Sequence, residues 1–244
     1  MRADLFTVRD VVRETPRAVY LTLDAAGARL AFIAGQAAMV GLADRADRKP
    51  YSIASSPEEL RRTGVLGFLV DVGPGGGPPG NLDGAAPGSL VAVEGPVGGF
   101  AFPRRLPREL LFVAGGTGIA PLRAMIASAL ARSRPPSMTL LYSARTPADF
   151  AFMREARRLS RQGRIRFRAT ATREAGPAWP GRRGRIQQAW IDAIVKDRDP
   201  LCFVCGPEGF VLRLMGMLRA AGVPARRIRR ERYRSRIPRQ NPIT

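Results

Sequence analysis

The chain has 244 residues, 45% hydrophobic and 25% charged, a globular composition with room for one large domain or two of ordinary size. It has no histidine and two cysteines, Cys202 and Cys205, which excludes histidine-dependent triads, histidine-ligated zinc or haem and a protein-held iron–sulfur cluster. The net charge is +20 and lopsided: residues 1–105 carry 12 basic and 11 acidic side chains, residues 106–244 carry 28 and 9, so the second half has a positive field suited to acidic ligands or partners.

Short runs rich in Val, Leu, Phe and Tyr come first: LFTVRDVV, a turn at RETPRA, then VYLTLD, LAFIAGQAAMVGL, RKPYSIASSP, VLGFLVDV and SLVAVEGPVGGF. Gly, Pro and Asp clusters separate them at fairly regular spacing, the pattern of a small antiparallel barrel or sandwich. Residues 73–88, GPGGGPPGNLDGAAPG, are too rich in Gly and Pro for a regular element. FPRRLPREL at 102–110 marks a boundary, and after it the pattern changes.

Strand LLFVAG leads to a helix over 121–133, strand MTLLYSA (138–144), a helix near 148–161 and strand RIRFRATAT (164–172). A helix near 187–195, strand LCFVCG (201–206), a helix over 208–221 and strand RIRRERY (227–233) follow. Alternating strands and helices predict a parallel α/β sheet. In 164–169 one face is Ile165, Phe167 and Ala169 and the other is arginine, which predicts a strand at the sheet edge. The expected division is 1–104, 105–234 and a tail over 235–244. No apolar run approaches the roughly 20 residues of a membrane span, and MRADLFTVRD lacks the apolar core of a secretion signal. A soluble cytoplasmic protein without a metal is expected.

The stretch VAGGTGIAPLRAMI (113–126) bears most directly on chemistry. It is a glycine turn at the carboxyl end of a parallel strand, where open α/β sheets bind ligands. Gly115, Gly116 and Gly118 lack side chains, which predicts close approach of backbone N–H groups to an anion, with the following helix adding its dipole. Pro121 is tolerated in the first helical turn because its missing N–H has no intrahelical partner there.

GGTGIAPLRAMI, LLYSART, GRI (184–186), CFVCGPEGF and the closing ERY resemble, in order, the nucleotide domain of the ferredoxin–NADP reductase family, and RKPYSIASSP and GPVGGF resemble its flavin-binding barrel. The resemblance implies a flavoprotein. A flavin-binding barrel at 1–104 takes a hydride from NADPH or NADH bound at 105–234, and single electrons pass to a separate acceptor such as a ferredoxin, a flavodoxin or an oxygenase. It implies that Lys49, with Pro50, Tyr51 and Ser52, holds the flavin: the cation on phosphate, the ring on the isoalloxazine, the hydroxyl near N5. Lys49 stands where the family has arginine, and Arg48 points to the other strand face. The family's next signature, a glycine followed three residues on by Ser or Thr, aligns on Gly76 or Gly77 and ends at Pro79 or Gly80 with no hydroxyl. Gly80 and Asn81 offer backbone donors instead, and FAD, FMN or a loosely held flavin all stay open.

The resemblance also places Gly116, Thr117, Gly118 and Pro121 at the dinucleotide. It puts Cys205, Gly206 and Pro207 beside the nicotinamide, with Cys202 as core packing rather than a disulfide partner. Glu231 and Tyr233 match the family's terminal acid and flavin-covering aromatic. Together Ser52, Cys205, Glu231 and Tyr233 form the expected catalytic set. Arg145 and Arg173 match positions that hold an adenosine 2′-phosphate, which favours NADPH over NADH. Arginines over 154–168 and 226–239 form an expected docking face for an acidic electron carrier. Two alternatives stand beside this reading: a flavin-poor regulatory subunit of the same fold, and a nucleic-acid-binding protein, which the lack of aromatics among the basic runs counts against.

Overall fold

The computed structural model describes residues 3–28, 30–72, 77–173, 175–196 and 198–233. The tail over 235–244, the alternative alignment on Gly76 and the last arginines of 226–239 lie outside the described residues. Among the described residues the strands form two six-stranded sheets, one antiparallel and one parallel, in agreement with the expected class.

The first sheet comprises β1 (Asp4–Thr15), β2 (Ala18–Asp24), β3 (Ala37–Leu42), β4 (Lys49–Ser52), β5 (Val65–Asp71) and β6 (Leu90–Val97), in the order β4-β3-β6-β1-β2-β5. The two ends of that order meet: Ile53, directly after β4, bridges Phe68 in β5, and Ala54 N–H donates to the Gly67 carbonyl at 2.8 Å. The sheet is thereby closed into a barrel, which removes its open edges. Alternating side chains fill the interior with Val8, Leu21, Leu23, Val40, Phe68, Val70 and Val91.

Helix α1 (Pro57–Thr63) follows β4 and is absent from the sequence reading. Its signal was present in SPEE: Ser56 accepts from Glu59 N–H, and Glu59 accepts from Ser56 N–H, a complete capping box with proline in the first turn.

The second sheet comprises β7 (Glu109–Gly115), β8 (Ser137–Ala144), β9 (Arg166–Ala171), β10 (Arg182–Arg183), β11 (Leu201–Pro207) and β12 (Ile228–Tyr233), in the order β10-β9-β8-β7-β11-β12. Helices α2 (Ile119–Leu130) and α3 (Met153–Arg161) pack on the face that meets the barrel, and α4 (Gln188–Val195) and α5 (Glu208–Ala220) on the other. The central strands are apolar on both sides: Leu110, Phe112 and Ala114 face α2 while Leu111 and Val113 face α5. One expectation is corrected. β9 is not the edge strand, because the two-residue β10 pairs with Thr170 and Ala171. Its arginine-bearing start, which cannot be buried, extends past that pairing. Helix α3 also begins later than expected, after Phe152, which has φ 55°.

The two units share a core. Ala18, Ala54 and Leu69 of the barrel pack in the same cluster as α2 and the inner face of the parallel sheet. A single arginine ties this junction. Arg123 of α2 donates to both carboxylate oxygens of Glu59 on α1 (3.0 and 3.1 Å), to Glu155 on α3 (2.7 Å) and to the Ala54 carbonyl (2.8 Å). Its side chain is 16% exposed, and the Phe152 ring lies against it with the guanidinium carbon 5.2 Å from the centroid. Burial works against its charge, but the two carboxylates outweigh that and raise its pKa. Replacing Arg123 by Met leaves two desolvated carboxylates facing each other. Chemical denaturation is expected to show a loss of about 3 kcal/mol; a change below about 0.5 kcal/mol contradicts a junction held by this group.

Candidate active site

On the barrel side, β4 carries Lys49, Pro50, Tyr51 and Ser52. The chain returns past β5 to a short turn at Gly80–Leu82. The Lys49 ammonium stands 3.2 Å from where a Cβ on Gly80 would sit, so a cation lies beside bare backbone. Buried Asn81 locks the turn: its amide donates to the Val40 carbonyl at 2.5 Å and its oxygen accepts the Tyr51 hydroxyl at 3.1 Å. Arg45, missed in the sequence reading, braces the same turn through the carbonyls of Gly80 and Asp83. Gly77 borders this turn with open space at its Cβ position. This cradle, cationic and free of a blocking side chain, fits a phosphate-bearing flavin.

On the other side, β7 ends in a tight turn at Gly116–Gly118 that enters α2 directly. Two of the three glycines also make room for neighbouring groups. A Cβ on Gly118 would lie 2.3 Å from the Cys205 carbonyl, and one on Gly115 2.8 Å from the Phe210 ring. Those two serve the packing of β7 against β11 and α5. Gly115 also lines the cleft, beside Gly116, whose φ of 56° needs a glycine. Pro121 is buried inside α2 and sets the helix start without lining the cleft.

The two sides meet at Glu231. The Ser52 hydroxyl donates to its Oε2 at 3.2 Å from the barrel, and the Cys205 thiol reaches the same oxygen at 3.9 Å from β11. Two residues on, the Tyr233 hydroxyl donates to the Gly115 carbonyl at 2.9 Å and accepts from Thr117 at 3.0 Å. Residues 26 to 179 positions apart are thereby gathered at one seam. Burial raises the Glu231 carboxyl pKa, more than its two hydrogen-bond donors lower it. Burial pushes the Cys205 thiol well up, and the neighbouring carboxylate adds to that, so Cys205 is a neutral donor. Cys202 faces the opposite side of β11, in the core with α5, free and pushed up to about 12 by burial. A disulfide between the two is geometrically excluded.

Beyond Gly116 runs an open cleft of about 450 Å³ lined by Arg145, Pro207, Phe210, Arg185 and Arg213. Arg173 is exposed beside it, its N–H donating to the Arg145 carbonyl at 2.8 Å. Gly206 sits under Phe210, 3.1 Å from the Gly115 backbone at its Cβ position. Arg185 and Arg213 come to the cleft from separate elements; the GRI string held the first, and no local pattern marked the second. Among the described residues no group of three His, Cys, Asp or Glu side chains is placed to hold a metal ion, and no helix is long and apolar enough to cross a membrane.

Family models described as an oxidoreductase FAD-binding domain and an oxidoreductase NAD-binding domain match residues 4–102 and 112–213. The chain is 33% identical over 195 residues to ferredoxin–NADP reductase B of Sorangium cellulosum, covering 76% of this chain and 78% of that one. It is 30% identical over 241 residues to the aromatic O-demethylase reductase subunit of an Amycolatopsis species, covering 96% and 69%. In fold it is similar to the ferredoxin NADP+ reductase of Neisseria gonorrhoeae with bound FAD and NADP, at TM-score 0.77 and 19% identity over 95% of this chain and 99% of that one.

The raised Glu231 pKa makes a signed prediction. The folded chain binds this proton more tightly than the unfolded chain does. Stability therefore falls as pH climbs from the ordinary glutamate value of about 4.3 toward the raised value. Melting curves across that window are expected to show Glu231→Gln gaining stability relative to the parent as pH rises. A difference independent of pH contradicts the assignment.

Proposed function

The chain belongs to the ferredoxin–NADP reductase-like family of FAD- and NAD-binding oxidoreductases, and from that premise we propose that it oxidises NADPH at a bound FAD and delivers electrons to a separate acidic protein. The observation that carries the reading is the seam at Glu231, where a hydroxyl from the barrel and a thiol from the parallel sheet share one carboxylate oxygen. The seam lies between a cationic cradle on one module and an open glycine turn on the other, the two grips that a hydride transfer between two rings requires. FAD, when bound, supplies the redox chemistry, so the absence of histidine removes nothing the reaction needs.

The chain's own groups bind, orient and exclude water. Lys49 neutralises flavin phosphate beside Gly77, Gly80 and the Asn81 turn, and Pro50 sets the strand between Lys49 and Tyr51. Tyr51 flanks the ring, and Ser52 presents its hydroxyl at the reacting edge. Gly116 and Thr117 take the dinucleotide at the pyrophosphate and nicotinamide end. Gly118 and Pro121 set that turn and the helix behind it, and Gly206 and Pro207 shape the opposite wall. Cys205 and Glu231 face the nicotinamide, with the carboxyl poised to hold a proton. Tyr233 fills the glycine turn through its hydroxyl and must yield that place to the dinucleotide. Arg145, Arg173, Arg185 and Arg213 favour NADPH, since a 2′-phosphate adds two negative charges where, among the described residues, no acidic side chain lines the cleft.

The relatives, a ferredoxin–NADP reductase and a reductase subunit, support a separate protein as acceptor. Acidity of that partner is argued from charge. Arg154, Arg158 and Arg161 of α3 are exposed and have no ion pair among the described residues, whereas Arg227 and Arg232 near β12 are held by Asp199 and Glu208. The docking charge therefore includes α3 together with exposed Arg226 and Arg229 at the last strand. A cytoplasmic setting is consistent with two free cysteines.

Two tests follow from these roles. Lys49→Ala is expected to weaken FAD binding by about ten- to a hundredfold, read by flavin fluorescence, with dinucleotide affinity unchanged. Equal FAD affinity removes Lys49 from the site. Electron delivery to an acidic ferredoxin is expected to slow steeply with added salt, and Arg158→Glu together with Arg161→Glu to flatten that slope. A slope unaffected by the exchange moves the docking face elsewhere.

A further inference from the structure

The barrel grips the nucleotide domain at a second place, far from Arg123 in sequence. The β1–β2 hairpin end, Glu14 to Arg17, reaches the loop between β8 and α3. Glu14 accepts the Phe152 N–H at 3.0 Å, and the Arg17 Nε pairs with Asp149 at 3.2 Å. Asp149 is fixed in turn: its other oxygen accepts the Thr146 N–H at 3.1 Å and hydroxyl at 2.8 Å. Thr146 directly follows Arg145, which lines the nucleotide cleft. The hairpin thus holds a barrel guanidinium beside the arginine at the carboxyl end of β8.

Arg173 follows on the neighbouring strand end, its backbone N–H bonded to the Arg145 carbonyl at 2.8 Å, so Arg17 and Arg173 are the cations that act on Arg145, and among the described residues Asp149 is the carboxylate that acts on it. Burial and then the two neighbouring arginines depress the Arg145 pKa, a sign of cations crowded without enough counter-charge. A phosphate monoester dianion is the ligand that relieves such crowding, and arginine forks match its oxygens two at a time. Arg17 is half exposed, at 47%, so its fork has room to turn from Asp149 toward an incoming anion.

We propose that Arg17, a residue of the flavin-binding barrel, completes the adenosine 2′-phosphate site of the neighbouring domain and contributes to the choice of NADPH over NADH. The inference rests on the reading that the adenosine end of the dinucleotide lies at Arg145. Its physical consequence is that NADPH bridges the two modules through its phosphate, whereas NADH leaves Arg17 with Asp149. Nucleotide choice and the packing of the two modules are then coupled.

The test uses the FAD-loaded full chain and two fragments, 2′,5′-ADP and 5′-AMP, titrated calorimetrically. Arg17→Gln is expected to weaken 2′,5′-ADP by about tenfold and leave 5′-AMP unchanged. Equal weakening of both fragments overturns the inference, because it reports a disturbed domain contact and not a phosphate ligand. Arg145→Gln is run alongside. If it weakens 2′,5′-ADP and Arg17→Gln does not, Arg17 is no part of the site and the NADPH reading stands. If neither variant changes 2′,5′-ADP affinity, the adenosine end lies elsewhere and both readings fall.

Discussion

Arg123 joins the two backbones on which the site is built. Its guanidinium holds the Ala54 carbonyl, two residues past Ser52, and it stands on α2 five residues past Gly118 of the glycine turn. The flavin-side hydroxyl and the dinucleotide-side turn are thus tied through one side chain. Two carboxylates from different units, Glu59 and Glu155, share its charge, and Phe152 shields it from water. Exposed ion pairs contribute little. A largely buried guanidinium that donates four hydrogen bonds is different, since removing it strands both acids. The hairpin contacts from Glu14 and Arg17 add a second tie, so relative rotation of the modules is opposed at two separated points.

With the modules held, the chemistry needs few residues. Glu231 reaches the seam from β12, an outer strand whose alternation sends Glu231 and Tyr233 to the same face while Arg230 and Arg232 turn toward α5. The carboxyl is desolvated enough to bind its proton more firmly than in water, and the Ser52 hydroxyl and Cys205 thiol both point at it. A carboxyl so placed fits the proton-holding role proposed for it.

Much of this was legible in the chain itself, because the signals were local. The change from short β runs to strand–helix alternation near residue 105 gave two modules of the right classes, and GGTGIAP located the turn between β7 and α2. Helix α1 went unread although SPEE spells a capping box, since the seven-residue helix carries no apolar periodicity to draw attention. The Arg123 clasp was not legible at all: its partners lie 64 and 32 positions away, and only tertiary structure sets them together. The same holds for Arg45, Arg213 and Arg17. Glycine composition does not by itself separate purposes: the missing side chains of Gly115 and Gly118 also admit Phe210 and Cys205, which no local pattern shows.

The most direct test of a site held by the clasp is the rate of hydride transfer, followed anaerobically by stopped-flow loss of the visible flavin band after mixing FAD-loaded protein with NADPH. Holoenzyme carrying Arg123→Lys, which keeps the charge but not the fork, is compared with the parent at saturating nucleotide. A displacement of about 1 Å between two reacting rings costs on the order of a hundredfold, so the account predicts a fall of that size with FAD still bound. An unchanged rate in a folded, flavin-loaded variant contradicts it.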